Sequence, residues 1–157
     1  MKPLFVLLIA FAIAALILKL LKKNWNLSLS GRIAMSCMLV FTAIGHFTFS
    51  EGMSMMLPDF IPFKRDVILL TGILEIGFAV GLLIGRLQRF TSILLIVFFI
   101  CVLPSNIYAA FNHIDIEKAN FNGPGLEYLW IRIPLQILFI GWVYFSGVKK
   151  DESVTLG

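Results

Sequence analysis

Charge is scarce in this chain. Only 14% of its 157 residues are Asp, Glu, Lys or Arg, against roughly 25% in soluble domains, too few to keep a globular surface wet. A soluble globular enzyme is thereby excluded. Cysteine is rarer still: Cys37 and Cys101 both fall inside apolar runs at different expected depths, and there is no C-x-x-C pair. A disulfide scaffold and a thiol–disulfide mechanism are set aside on that basis. The two histidines, His46 and His113, lack ligand spacing, so no metal site is expected. Glycine and proline are too few for a collagen-like repeat, and the apolar content argues against disorder. No phosphate loop, dinucleotide fingerprint or nucleophile elbow occurs. The 13 basic residues sit singly or in pairs between apolar runs, a pattern that orients a membrane protein and does not suit nucleic acid.

Long apolar runs are what the chain does have. A membrane-spanning helix needs about 20 mostly apolar residues, since each adds about 1.5 Å and the hydrocarbon layer is about 30 Å thick. Five stretches qualify: Pro3 to Leu21, Gly31 to Phe49, Asp66 to Gly85, Phe90 to Phe111 and Glu127 to Ser146. The expected fold is all-α and polytopic, a four-helix transmembrane bundle plus one additional N-terminal span. Its parts are an N-terminal helix with a cytoplasmic linker (1–27), a four-helix domain (28–148) and a polar tail (149–157). The first stretch reads as a retained helix and not a signal peptide, because it ends in Lys19, Lys22 and Lys23 instead of a small-residue cleavage site.

Basic residues are held preferentially on the cytoplasmic side. One set of alternate loops collects Lys19, Lys22, Lys23, Arg32, Arg86, Arg89, Lys149 and Lys150, while acids dilute the other. The N terminus is expected outside and the C terminus inside, in the lipid bilayer of a bacterial inner membrane. Among the outer loops, Ser50 to Arg65 carries Met53, Met55, Met56, Leu57, Phe60 and Phe63, and such a segment prefers the membrane interface to water. It reads either as a plain connection dipping into headgroups or as a lid. Asn112 to Gly125 reads as turn chemistry and little more.

Ionisable groups inside a bilayer cost about 2.5 to 3.5 kcal/mol even on insertion scales. Glu75, His46, Asn106, Arg132 and Gln136 are therefore the informative residues, with Tyr108 beside Asn106 joining the candidate set. Counted from the outer helix ends, His46 lies about 5 Å down, Asn106 and Arg132 about 8 Å, and Glu75 and Gln136 about 14 Å. Arg132 and Gln136 share one helix face at i and i+4. An ion pair between Glu75 and Arg132 is expected, with the amides and His46 adding hydrogen bonds. Pro104 and Pro134 should free the carbonyls of Ile100 and Trp130. Two readings stand: interhelical polar contacts that lock the bundle, or a polar-walled cavity open toward the outer leaflet that binds a small amphipathic ligand. Gly77, Gly81 and Gly85, spaced every four residues, mark a helix-packing face, within the bundle or in a homodimer.

The ordered set Gly45-His46-Phe47, Pro58 and Pro62, Gly72 with Glu75, Pro104-Ser105-Asn106-Ile107-Tyr108, and Arg132-Ile133-Pro134-Leu135-Gln136 resembles the DoxX-like family of small bacterial membrane proteins. The resemblance covers about residues 31 to 146 and implies a four-helix core, with the first helix outside it. It further implies association with quinone-linked redox systems or with assembly of other membrane proteins. His46, Glu75, Asn106, Arg132 and Gln136 look like the family's polar positions, without a catalytic role to carry over. With no haem, flavin or iron–sulfur motif and no intrinsic cofactor, the chain would be at most a subunit of a quinone-linked oxidoreductase, with a quinone as bound ligand and electrons from a partner protein. The alternatives are a non-catalytic assembly protein, and more weakly a small-solute or proton transporter, for which the broken-helix repeats are missing.

Overall fold

A computed structural model describes residues 2–22 and 25–149. The linker lysine Lys23 and all but the first residue of the expected polar tail lie outside the described residues. Five helices are long and apolar enough to cross a membrane: Lys2–Leu21, Leu27–Thr48, Lys64–Leu83, Gln88–Phe111 and Gly125–Val148. Among the described residues there is no strand. We number the helices α1 (Lys2–Lys22), α2 (Leu27–Thr48), α3 (Ser50–Ser54), α4 (Lys64–Leu83), α5 (Gln88–Phe111) and α6 (Leu129–Val143). A 3-10 turn (Gly125–Tyr128) leads into α6, and a π turn (Tyr144–Val148) prolongs it.

The helices begin and bend where their residues require it. Asn26 caps α2 by accepting from the Leu29 N–H at 2.9 Å, which satisfies one of the four orphan donors of a helix start. Pro104 and Pro134 lie inside α5 and α6, and each helix continues through its proline.

Helices α2, α4, α5 and α6 are neighbours in turn around a ring, which closes where the π turn meets α2 and α5. This places α4 diagonally opposite α6. The core is Met35, Met38 and Leu39 of α2, Leu82 of α4, Leu95 and Phe99 of α5, and Phe139 and Val143 of α6. Helix α1 is not a detached anchor: Leu7 is fully buried in this same core, and Phe11 meets Trp142 edge-on at 5.0 Å between ring centres. The thiols of Cys37 and Cys101 are free, on exposed residues.

The glycine stripe on α4 divides. A Cβ on Gly81 would fall 2.5 Å from Thr91 Oγ1 and 2.9 Å from its Cγ2, so Gly81 does admit α5. Gly77 and Gly85 would meet nothing within 4 Å. The expectation of one packing face therefore holds within the bundle for Gly81 alone, because α5 begins beside the last turns of α4 and meets it there at Thr91. Beside Gly81 the bundle uses Gly31, where a Cβ would sit 2.8 Å from Ser146 Cβ, Gly72, where it would sit 2.9 Å from His46 Cβ, and Gly147, where it would sit 2.9 Å from Ser92 Cβ.

These contacts set a test. Gly81→Ala should destabilise the protein in detergent by about 1 to 3 kcal/mol, the usual cost of overpacking a close contact against a stiff β-branched side chain. Gly77→Ala should be neutral or slightly stabilising, since alanine is the better helix former. Equal thermal shifts for the two variants would contradict this assignment of the stripe.

Candidate functional site

The polar residues gather toward the end of the bundle where α1 starts, around a cavity of about 570 Å³. Its wall includes His46 from α2, Glu75 from α4, Asn106 from α5, and Arg132 and Gln136 from α6. Glu75 is 6% exposed, Asn106 5% and Gln136 8%. Tyr108, the sixth candidate, is not in this wall; it packs on a separate small cluster of Met56, Ala109 and Ile114. Two residues along α5 from Asn106 corresponds to about 200° of rotation, which turns the phenol to another face.

The structure does not form the expected Glu75–Arg132 ion pair. Glu75 and Arg132 line the same cavity from the diagonal helices α4 and α6. The carboxylate's closest charged neighbour is His46, whose Nε2 lies 3.6 Å from Oε2. At that distance Oε2 accepts no hydrogen bond among the described residues. The Arg132 guanidinium lies over the Tyr128 ring, 5.2 Å from its centre, one helical turn back along its own face, and its Nε also lacks a hydrogen-bond partner among the described residues. The physical reason is adjacency: α2 packs directly on α4, most closely at Gly72, one turn before Glu75, and this brings His46 to the carboxylate.

The imidazole is oriented by neighbours that sequence reasoning passed over. Its Nδ1 lies 3.0 Å from Thr71 Oγ1 and 3.2 Å from the Ile68 carbonyl. The Thr71 hydroxyl donates its own proton to that same carbonyl at 2.7 Å, so both groups are acceptors toward the ring and Nδ1 carries a hydrogen. Nε2 is left facing Glu75. The sequence did carry a signal for Thr71, which shares a helix face with Glu75 at i and i+4.

Gln136 is spent on the backbone: its amide donates to the Phe99 carbonyl at 2.6 Å. The carbonyl engaged is thus one residue before Ile100, the one deprived of its donor by Pro104. Asn106 is 5% exposed and lines the cavity with its amide, which makes no hydrogen bond among the described residues.

Both loops at this end cover the cavity. Met53, Met56 and Leu57 from the first line it, while Phe60 and Phe63 stay exposed. In the second, Ile114 is buried against Met56 and Ala109, and Ile114, Asp115, Ile116 and Glu117 also line the cavity. That segment is therefore more than a turn. Its Asp115 and Asn120 exchange two backbone hydrogen bonds of 2.8 and 3.4 Å, and its Ile116 carbonyl lies against Gly52, where a Cβ would come within 2.0 Å. Glu117 accepts from Lys2 at the start of α1. On the first loop, Lys64 donates to Asp59 at 2.7 Å and holds that exposed carboxyl below its ordinary value.

These features define a class: a small all-helical protein with five membrane-length helices and a capped, polar-walled cavity toward one end. Within it, the chain belongs to the family described as a domain of unknown function, DUF8561, whose model matches residues 35–146, from α2 to the final turn. No curated protein and no solved structure matches the chain.

The proton arrangement is open to measurement. Imidazole ¹⁵N spectra of reconstituted protein, assigned against a His113→Gln variant, should show Nδ1 of His46 protonated at neutral pH. Glu75→Gln should leave that nitrogen protonated. A bare Nδ1 in the wild-type protein would contradict the geometry.

Proposed function

We propose that this protein binds a small amphipathic ligand with a quinone-like head group in the cavity, as an accessory or subunit of a membrane redox system. The observation that carries the reading is a pair of buried polar atoms on one cavity wall with no hydrogen bond among the described residues, Glu75 Oε2 and Arg132 Nε. Buried polar groups are nearly always satisfied, and leaving one unpaired costs about 1 to 3 kcal/mol. A ligand with oxygen atoms would supply the partners. Arg132 and Asn106 are donors suited to carbonyl oxygens, and the Glu75–His46 pair lines the same cavity.

Reduction of a quinone consumes two electrons and two protons. In this reading a partner protein supplies the two electrons, water supplies the two protons, and the chain positions the head group, with Glu75 or His46 exchanging the protons. The redox part rests on the motif order that resembles the DoxX-like family. The bacterial inner membrane, with the N terminus outside, is the location that the distribution of basic residues supports.

Gly77 and Gly85 favour a second reading. Both lie on α4 with nothing within 4 Å of a built Cβ, so a partner's transmembrane helix could approach closely there. An assembly protein, or a homodimer, would use that face.

Decylubiquinone titrated into purified protein should bind saturably. Arg132→Ala and Asn106→Leu should each weaken it about tenfold, the loss of about 1.4 kcal/mol expected when one hydrogen-bonding partner is removed. Saturable binding that neither substitution changes would remove the head-group assignment. Absence of binding would favour the assembly reading, as would a stoichiometric membrane partner lost on Gly77→Leu.

A further inference from the structure

Loops cap the cavity above, where Lys2, Thr48, Glu117 and Pro124 of its wall are exposed, and it is thin at one side. Above, the apolar cap of Met53, Met56 and Ile114 and the Lys2–Glu117 contact stand between it and the loop side. At the side, three apolar residues both line the cavity and are exposed on the bundle: Phe41 (39%) and Ile44 (58%) of α2, and Ile131 (42%) of α6. Ile44 lies about 6 Å and Phe41 about 10 Å below the end of α2, and Ile131 about 9 Å into the last span, at about 1.5 Å per residue. All three therefore sit within the apolar part of their helices.

The seam between α2 and the last helix explains this opening. At the opposite end the two are tightly joined: Ser28 donates to the Ser146 carbonyl at 2.8 Å, and the Trp142 indole donates to the Gly31 carbonyl at 3.0 Å. Phe11 of α1 meets Trp142 of that joint at 5.0 Å between ring centres. Toward the cavity the seam carries no such bonds among the described residues, and only the first residues of α1, Lys2 and Pro3, reach its edge.

We propose that the cavity takes its occupant sideways from the bilayer, through the seam between α2 and the last helix, and that the occupant is a membrane-borne amphiphile with an aliphatic chain. This rests on the reading that the cavity binds a polar-headed ligand. The head lies among Glu75, Asn106 and Arg132, and the chain leaves past Phe41, Ile44 and Ile131. Polar groups stand at one side of this path and hydrocarbon at the other, so an amphiphile keeps its chain in an apolar medium throughout, at no cost of transfer through water. A volume of about 570 Å³ falls in the range of about 300 to 1,000 Å³ typical of small-molecule sites, enough for a head group and the first part of a chain.

The test uses the full chain in phosphatidylcholine vesicles containing a fatty acid with a photoreactive diazirine midway along its chain, and peptide mapping of the adducts. Ile137, 65% exposed on the outside of α6, reports contact with bulk lipid and serves as the internal control. Adducts are expected both at Ile137 and at the buried cavity-wall residues Phe99 and Phe139. The double variant Ile44→Trp, Ile131→Trp should lower the cavity adducts about tenfold relative to Ile137. Labelling at Ile137 with none at Phe99 or Phe139 would overturn the proposal, and so would cavity labelling indifferent to the double variant. The label reads the route of the chain and decylubiquinone affinity reads the head group, so a failure of either is distinguishable from a failure of the other.

Discussion

A carboxyl group set midway along a membrane-length helix constrains everything around it. Glu75 can be neither left charged in isolation nor moved to water, because its helix must remain apolar enough to insert. The fold answers by bringing α2 against α4 closely enough for an imidazole to reach the carboxyl. Gly72 removes the side chain that would stand in the way, and Thr71 and the Ile68 carbonyl fix which nitrogen faces the acid. One level further along, Ser36 donates to the Ala79 carbonyl at 2.8 Å and ties the same two helices in register. The α2–α4 contact is thus a single device, in which close backbone approach and the His46–Glu75 contact depend on each other.

That device determines where space remains. With His46 committed to α4, the diagonal helix α6 is not drawn in by charge, and Arg132 rests over Tyr128. A direct Glu75–Arg132 pair would have pulled α6 toward α4 and filled the middle of the bundle with side chains. Its replacement by the His46–Glu75 pair leaves the guanidinium and the carboxyl on opposite walls of a shared cavity.

Hydropathy made the five spans legible within a few residues, since length and apolarity are properties of a helix by itself. The same reasoning located the five polar residues at one end, because depth follows from counting along each helix. Which helix touches which does not follow from counting, and here the reading failed for the Glu75–Arg132 pair. Rotation was the second gap: Tyr108 looked like a neighbour of Asn106 in the chain but turns toward Met56 and Ile114. The spacing of Gly77, Gly81 and Gly85 showed a common face but not what stands opposite it. The segment after α5 read as a turn because its polar residues dominate locally, whereas Ile114 and Ile116 contribute through contacts with the preceding loop.

The distribution of satisfied and unsatisfied groups bears on whether the polar cluster is glue or site. At the far end of the bundle Ser28 and Trp142 each donate to a backbone carbonyl of another helix. Those bonds hold helices together at about 0.6 kcal/mol each, the average for polar contacts within membranes. At the cavity end His46 and Gln136 are used in this way. Had Glu75, Asn106 and Arg132 served to lock the helices, their polar atoms would meet one another, because an unpaired buried group costs about 1 to 3 kcal/mol, more than a polar contact of this kind returns. Their side chains instead stand apart around an open volume, and that arrangement is what the proposed ligand site rests on.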